Sequence, residues 1–520
     1  MKLGIFIVVT ILDYVCGARI LCVFQVPAVS HQRVFQPIWR ELSLRGHEVV
    51  VVTPKPLKDS SLINLTEIDV SAAHSELIKR HGFQFFMKKE YAVHTKIPKL
   101  FAMLYESAEV VLKNEQFVKI YNNSNQKFDV VITQTFISPI LYSIAAKFNA
   151  PLIGVSSLGA YIGTHFAMGN PNPPSLYSEM ILPYNGKLTL YERIKSTAYY
   201  FFVRFYRTFV ILPKSDALAR KYLGNDIPYI EDIERNMSLL LMTTNPFLYT
   251  PRPTLPTIIS LESIHVKPTE PLPDDLKNFL DESKEGVIYF SLGSNIQSVN
   301  IPEEIRDTLI AAFSELPYKV LWKFESDTMP NQPKNVIIRK WLPQKDVLAH
   351  PNIKAFVSQC GLQSLEEAVS RAVPIVALPF IADQEMNAQR LTELGVAVSL
   401  DFVTLTKEEF KKAIIEIAEN SKYRKNMEHL RQMWTDQPMN SLDRAMWWIE
   451  YVIRYQGTTH LRSPIADISW IEYLLLDVIC VFVAVGLIVL YILKLVSRFL
   501  VKLCTKNSRK QKSIGNKKLK

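Results

Sequence analysis

The run Trp341-Leu-Pro-Gln344, Asp346-Val-Leu-Ala-His350-Pro351, Gln359-Cys-Gly361-Leu-Gln-Ser364-Leu-Glu-Glu367-Ala and Pro379-Phe-Ile-Ala-Asp383-Gln384 is the densest in chemistry-bearing side chains. Between its polar groups lie residues 355–358 and 374–378, continuous apolar runs of the kind expected in parallel strands buried on both faces. Strand, glycine, helix is the order spelled by 355–358, Gly361 and Ser364. Gly361 permits close backbone approach and Ser364 falls in the first turn of a helix, whose unused N–H groups make a ready phosphate site. Trp341 offers a flat face for a base, Gln344 can bond a base edge, and Glu367 can accept from sugar hydroxyls. Each has a plain alternative when read alone: Trp in a core, Glu on a solvated face, one Gly that merely precedes a helix.

Working outward, residues 286–291, 318–322, 336–339 and 396–398 are further strand candidates, most of them separated by helical segments. An earlier series has the same grammar. Residues 20–26 are an apolar run, 36–44 have helical spacing ending at Gly46, and 48–53 are Val-rich with Pro54 behind them; 128–132 and 151–155 follow. This predicts two α/β units, each a doubly wound sheet, joined by the Pro-rich stretch 250–273. Ligands of such sheets sit beyond the carboxyl ends of the strands, here in the cleft between the units. Residues 191–212 mix aromatics with Lys195, Arg204 and Arg207, and fit a membrane-surface segment, a pocket wall or a plain buried helix.

The two ends read differently from the body. Met1-Lys2, the apolar stretch 3–12 and the small residues Cys16-Gly17-Ala18 form a secretory signal cut after Ala18. Residues 473–493 are apolar apart from Asp477, enough at ~1.5 Å per residue to cross a ~30 Å hydrocarbon layer. From Lys494 to Lys520 there are ten Lys and Arg and no acid, against a net charge of +10 for all 520 residues. The surplus is therefore a cytosolic tail obeying the positive-inside rule, and no nucleic-acid partner is implied. Lys517-Lys518-Leu519-Lys520 matches dilysine retrieval to the endoplasmic reticulum. The topology expected is type I, with a lumenal body bearing acceptor sequons at Asn64, Asn122 and Asn236. Only Cys22 and Cys360 fall in that body, so no disulfide framework is expected. No cluster has metal-ligand spacing, so no catalytic metal is expected.

The segment does not stand alone. Ser30-His31 precedes Arg45-Gly46-His47-Glu48-Val49, Ser291-Leu-Gly-Ser294 follows a strand, and Leu442-Asp443-Arg444-Ala445 and Trp448-Ile-Glu-Tyr-Val-Ile-Arg454 precede the span. In that order the set resembles the UDP-glycosyltransferase superfamily, most closely its arthropod membrane-bound members of the UDP-glucosyltransferase/glucuronosyltransferase type. The resemblance covers nearly the whole chain. It implies a GT-B architecture, two Rossmann-like doubly wound domains facing a cleft, plus one C-terminal transmembrane helix. The expected division is signal 1–18, acceptor domain 19–265, UDP-sugar domain 266–460, span 473–493 and tail 494–520.

The resemblance also assigns roles. Trp341 would stack on uracil and Gln344 bond it; Glu367 would hold the ribose. Gly293, Ser294, Gly361 and Ser364 would surround the diphosphate, and Asp383 and Gln384 would contact the transferred sugar. His31 would be the general base, which suits a neutral imidazole in the loop after the first strand. The reaction implied is inverting transfer of a hexose, glucose above glucuronate, to a hydroxyl of a small lipophilic acceptor. The UDP-sugar is a co-substrate and no cofactor is implied; association into homo- or hetero-oligomers is left open.

Two positions depart from the family pattern. Gln134 stands where an Asp or Glu orients the catalytic His, and Gln359 where a His touches a donor phosphate. An amide cannot stabilise an imidazolium by charge, and losing a charge-assisted bond costs about 1–2 kcal/mol. These departures motivate a second reading, a non-catalytic lumenal binding or partner protein.

Overall fold

The computed structural model describes residues 17–517 except 82–92, 180, 183, 185, 295, 381 and 382, so residues 1–16 of the expected signal lie outside the described residues. The chain divides into one compact unit ending at Ser463 and a second from Pro464.

The first unit holds two sheets in which every pairing is parallel. One comprises β1 (Arg19–Val23), β2 (Glu48–Thr53), β3 (Leu65–Asp69), β4 (Val130–Gln134), β5 (Leu152–Ser156), β6 (Leu239–Met242) and β7 (Ile258–Ser260), in the order β3-β2-β1-β4-β5-β6-β7. The other comprises β8 (Val287–Ser291), β9 (Lys319–Lys323), β10 (Val336–Arg339), β11 (Ile353–Ser358), β12 (Ile375–Ala377) and β13 (Ala397–Ser399), in the order β10-β9-β8-β11-β12-β13. Every residue of β4, β5 and β8 is buried, as uninterrupted apolar runs require when both faces are covered. The winding reverses between β1 and β4 and between β8 and β11, and each reversal opens a crevice at the strand ends.

Three strands of the first sheet were absent from the sequence reading. β3 is an edge strand carrying Thr66, Glu67 and Asp69, so it lacks an apolar run. β6 is four residues long, and β7, the opposite edge, has three residues inside the Pro-rich stretch 250–273, where a linker is expected.

Helix α1 (Val29–Leu44) begins well before the expected residue 36 and contains Pro37. It buries Val34, Phe35, Ile38, Trp39 and Leu42 on the first sheet, with Phe24 stacked on Phe35 at 5.0 Å. Helix α2 (Val93–Lys113) and helix α3 (Leu190–Tyr206) share a separate core in which Ile97, Leu100 and Leu104 meet Tyr199, Tyr200 and Val203. A capping box of Thr189 and Glu192 starts α3. Its other face is apolar but exposed: Ile194, Phe201 and Phe205, with Phe209 just beyond, are each about three-fifths accessible. Thus 191–212 is a helix buried on one side only; Arg207 pairs with buried Glu234, and Arg204 stacks on Phe166.

Helix α4 (Leu362–Ser370) follows β11. Helix α5 (Ser441–Tyr455) returns from the second sheet to the first. Its Ala445, Met446, Ile449 and Val452 join the core of α1, and Arg45 pairs with Asp443 at 3.1 Å and Glu450 at 3.2 Å.

In the second unit, helix α6 (Leu476–Lys517) starts three residues after the expected 473 and continues unbroken into the basic tail. Residues 476–507 are long and apolar enough to cross a membrane, which fits a single-pass membrane protein.

Candidate active site

The first crevice presents His31. Because α1 begins at Val29, His31 stands in the first turn of a helix and not in the expected loop. β1 and β4 pair with Val23 opposite Thr133, and that register brings Gln134, the last residue of β4, behind the imidazole. Gln134 Nε2 lies 3.4 Å from His31 Nδ1, so the two residues expected to interact do meet. Ser157, one residue past β5, places its Oγ in short contact with the same Nδ1. Burial lowers the His31 pKa to about 4, because a desolvated imidazolium is disfavoured. The ring is therefore neutral across the physiological range.

The second crevice gathers the expected donor residues. β8 runs into Ser291-Leu292-Gly293-Ser294, where Gly293 has φ +76. A Cβ there would lie 2.4 Å from Gln359 Nε2 and displace that side chain, while the positive φ itself favours glycine. Gln359, at the end of β11, is buried, with its Oε1 unpartnered among the protein atoms. Gly361 is the N-cap of α4, and the first N–H of that helix, from Leu362, bonds the Asp383 carboxylate.

Gln344 opens the short helix Gln344–Leu348 and is fully engaged. Its Oε1 accepts from Tyr289 OH at 3.1 Å, while its Nε2 donates to Ser364 Oγ at 3.0 Å and Glu367 Oε2 at 2.7 Å. Three expected residues thus form one hydrogen-bonded group, with the Gln344 side chain turned toward Glu367. Burial raises the Glu367 pKa against the opposing Gln344 bond and the positive charge of Arg33. Asp383 accepts from Asn387 Nδ2 at 2.7 Å, and burial lifts its pKa to about 6. Gln384 Oε1 accepts the Phe380 N–H at 2.9 Å.

One cavity joins the crevices. It is lined by His31, Gly293, Ser294, Trp341, Gln344, Gln359, Gly361, Ser364, Glu367, Asp383 and Gln384; Gln134 alone of the expected residues stands behind the wall. On the first-sheet side most of the lining is apolar, with Val26, Ile97, Leu100, Met103, Leu104, Phe136, Ile137, Leu158, Tyr161 and Ile181 beside the charged Lys96 and Glu179. Sequence reasoning missed this α2 wall, although its apolar spacing is helical. It also missed Ser157, Arg33 and Lys323, whose Nζ donates to Gly293 O at 2.9 Å. Among the described residues no three His, Cys, Asp or Glu side chains gather as a metal site.

Two parallel doubly wound sheets facing a shared cavity, a glycine-capped helix on one side and a half-buried neutral histidine on the other, define the GT-B class of glycosyltransferase. The fold comparison agrees. The crystal structure of TcCGT1 in complex with UDP superposes with a TM-score of 0.57 at 18% identity, covering 85% of this chain and all of the other. The model of the family "UDP-glucoronosyl and UDP-glucosyl transferase" matches residues 20–511, and the chain belongs to that family. It is 35% identical over 483 residues to UDP-glucosyltransferase 2 of Dactylopius coccus, covering 92% of this chain and 93% of the relative. It is 30% identical over 514 residues to UDP-glucuronosyltransferase 2B15 of Homo sapiens, covering 93% of each. The protein is a UDP-sugar-dependent glycosyltransferase.

Proposed function

We propose that the enzyme transfers glucose, with inversion, from UDP-glucose to a hydroxyl of a small lipophilic acceptor, with His31 as general base. The observation that carries this reading is the place of His31, where the apolar wall of Val26, Leu100 and Phe136 meets Asp383 and Gln384 in one cavity. An acceptor held by the apolar wall presents its hydroxyl to a neutral imidazole. As the proton passes to His31, the acceptor oxygen attacks the anomeric carbon and the bond to UDP breaks on the opposite face. The departing charge falls toward the N-terminus of α4 and the Gly293 loop, where backbone N–H groups favour an anion.

Asp383 and Gln384 suit the hydroxyls of a neutral hexose, and the similarity to an insect glucosyltransferase favours glucose over glucuronate. Trp341 and Gln344 take the uracil, and Glu367, bonded to Gln344 at 2.7 Å, takes the ribose. The apolar span and basic tail support a type I protein of the endoplasmic reticulum membrane with a lumenal body. The exposed face of Ile194, Phe201 and Phe205 suits contact with a bilayer surface.

The test is to assay the full chain in detergent with UDP-glucose and UDP-glucuronate against a panel of phenols, scoring conjugates by mass. Glucosides are expected, and loss of the product signal in His31→Ala. Glucuronides alone would overturn the donor assignment. Weak or absent UDP binding, with no transfer to any acceptor, would favour the non-catalytic reading that Gln134 and Gln359 motivate.

A further inference from the structure

We infer that Ser157, and not Gln134, is the positioning residue that holds His31 in the tautomer able to act as a base; this rests on His31 being the base. A base acting through Nε2 must carry its own proton on Nδ1, and that proton needs an acceptor behind the ring. Two groups stand at Nδ1, the Gln134 amide at 3.4 Å and the Ser157 hydroxyl in short contact.

The Gln134 amide is oriented from its far side. Val26 N–H can only donate, and Gln134 Oε1 accepts from it at 3.2 Å. The end of the amide that faces His31 is therefore NH2, a donor. A donor at Nδ1 favours the tautomer with its proton on Nε2, which leaves nothing to receive the proton of the acceptor. A hydroxyl has lone pairs as well as a proton, so Ser157 Oγ can accept from Nδ1–H. Ser157 is also firmly held. Its side chain is buried, it directly follows the last strand residue of β5, and its carbonyl accepts from Gln363 Nε2 at 2.9 Å. That last bond comes from the first turn of α4, so the donor half of the cavity braces the group behind the base.

Replacement of a charged orienting group thus comes with a change of partner. Gln134 bonds the backbone of Val26, and Ser157 performs the orientation without charge.

The first measurement is the 15N spectrum of the full chain labelled in histidine, with His31 assigned by difference from His31→Gln. A protonated Nδ1 is expected; a protonated Nε2 would overturn the inference whatever any variant does. The second is kinetic, using UDP-glucose and whichever phenol the wild type conjugates. Ser157→Ala should lower kcat by about a hundredfold or more, as wrong-tautomer variants of catalytic triads do. The donor KM should stay within about twofold of its starting value, since Ser157 lies outside the donor residues. Gln134→Glu keeps the shape and the Val26 bond but presents an oxygen to Nδ1, so adding it to Ser157→Ala should restore at least about tenfold. A purely structural role for Ser157 gives no such rescue. A Ser157→Ala kcat within about twofold of wild type, or a double variant no faster than the single, would sink the inference. Retained kcat in His31→Ala would instead remove the base assignment beneath it. Loss of activity in His31→Ala but not in Ser157→Ala would remove only the role of Ser157.

Discussion

The guanidinium carbon of Arg33, on the first-sheet helix α1, lies 4.8 Å from the ring centroid of Trp341, on the second-sheet side of the cavity. Lys323 Nζ lies 5.5 Å from the same ring. The aromatic platform assigned to uracil is thus half exposed and already attended by cations, one of them supplied across the cleft, two residues after His31. A nucleotide diphosphate arriving there brings negative charge to Arg33. Arg33→Ala should therefore raise the donor KM about threefold to tenfold at low salt and leave kcat within about twofold, with the difference shrinking in 0.5 M salt. Steady-state rates at two ionic strengths decide it, and an unchanged KM at low salt would refute it.

Gly293→Ala tests the phosphate loop. The new Cβ would meet Gln359 Nε2 at 2.4 Å in a backbone conformation that L residues resist. Either the loop or Gln359 must move, and both line the cavity at the place proposed for the diphosphate. UDP affinity measured by calorimetry should fall by about tenfold or more, and the strained backbone should lower stability by about 1–3 kcal/mol. An alanine variant that binds UDP as wild type does would show that the loop adapts.

Activity should depend on pH through Asp383. Burial holds its pKa near 6, whereas His31 is neutral down to about pH 4. If Asp383 holds the sugar hydroxyls as proposed, protonating it removes that acceptor, so kcat/KM for the donor should fall below about pH 6 while the imidazole is still uncharged. Rates from pH 4.5 to 8.5 locate this limb, and Asp383→Asn should abolish it at a lower overall rate. Persistence of the limb in that variant would assign it to another group.

Stability should depend on pH through Glu366. This carboxyl is fully buried, accepts from Ser263 N–H at 3.0 Å and lies 3.3 Å from His265 Nδ1; burial lifts its pKa to about 8. The folded state holds the proton more tightly than the unfolded state does. The contribution is thus complete below the ordinary carboxyl range and is lost as pH rises through about 8. His265, lowered to about 4, acts in the opposite sense but only below about pH 6.5. Between pH 6.5 and 8.5 the melting temperature should therefore fall. Glu366→Gln, always neutral and able to donate to Nδ1, should flatten that slope by about 2 °C. Parallel slopes for both proteins would contradict a protonated Glu366.

Particular residues show where the sequence was informative. Val49 to Val52, Val130 to Ile132 and Val287 to Phe290 are apolar at every position, because a parallel strand covered on both faces admits little else. Gly293 was legible because its loop follows a strand and takes a backbone conformation, φ +76, that favours glycine. Leu65–Asp69 was not legible because Thr66, Glu67 and Asp69 break any apolar run, and Ile258–Ser260 because three residues inside a Pro-rich stretch carry no pattern of their own.

The sequence by itself determined the two-sheet α/β body, the chain order of the donor motif, the apolar span and the basic tail. All of these follow from local composition and spacing. The tertiary structure alone decided which side chains meet. His31 and Gln134 are 103 residues apart, and His31 and Ser157 are 126 apart. Only the strand order β1-β4-β5 brings their ends together. The amide direction of Gln134 is likewise a tertiary fact, since it is set by the N–H of Val26. A one-dimensional pattern records how deeply a residue is buried, but the partner it finds there depends on how the chain is wound.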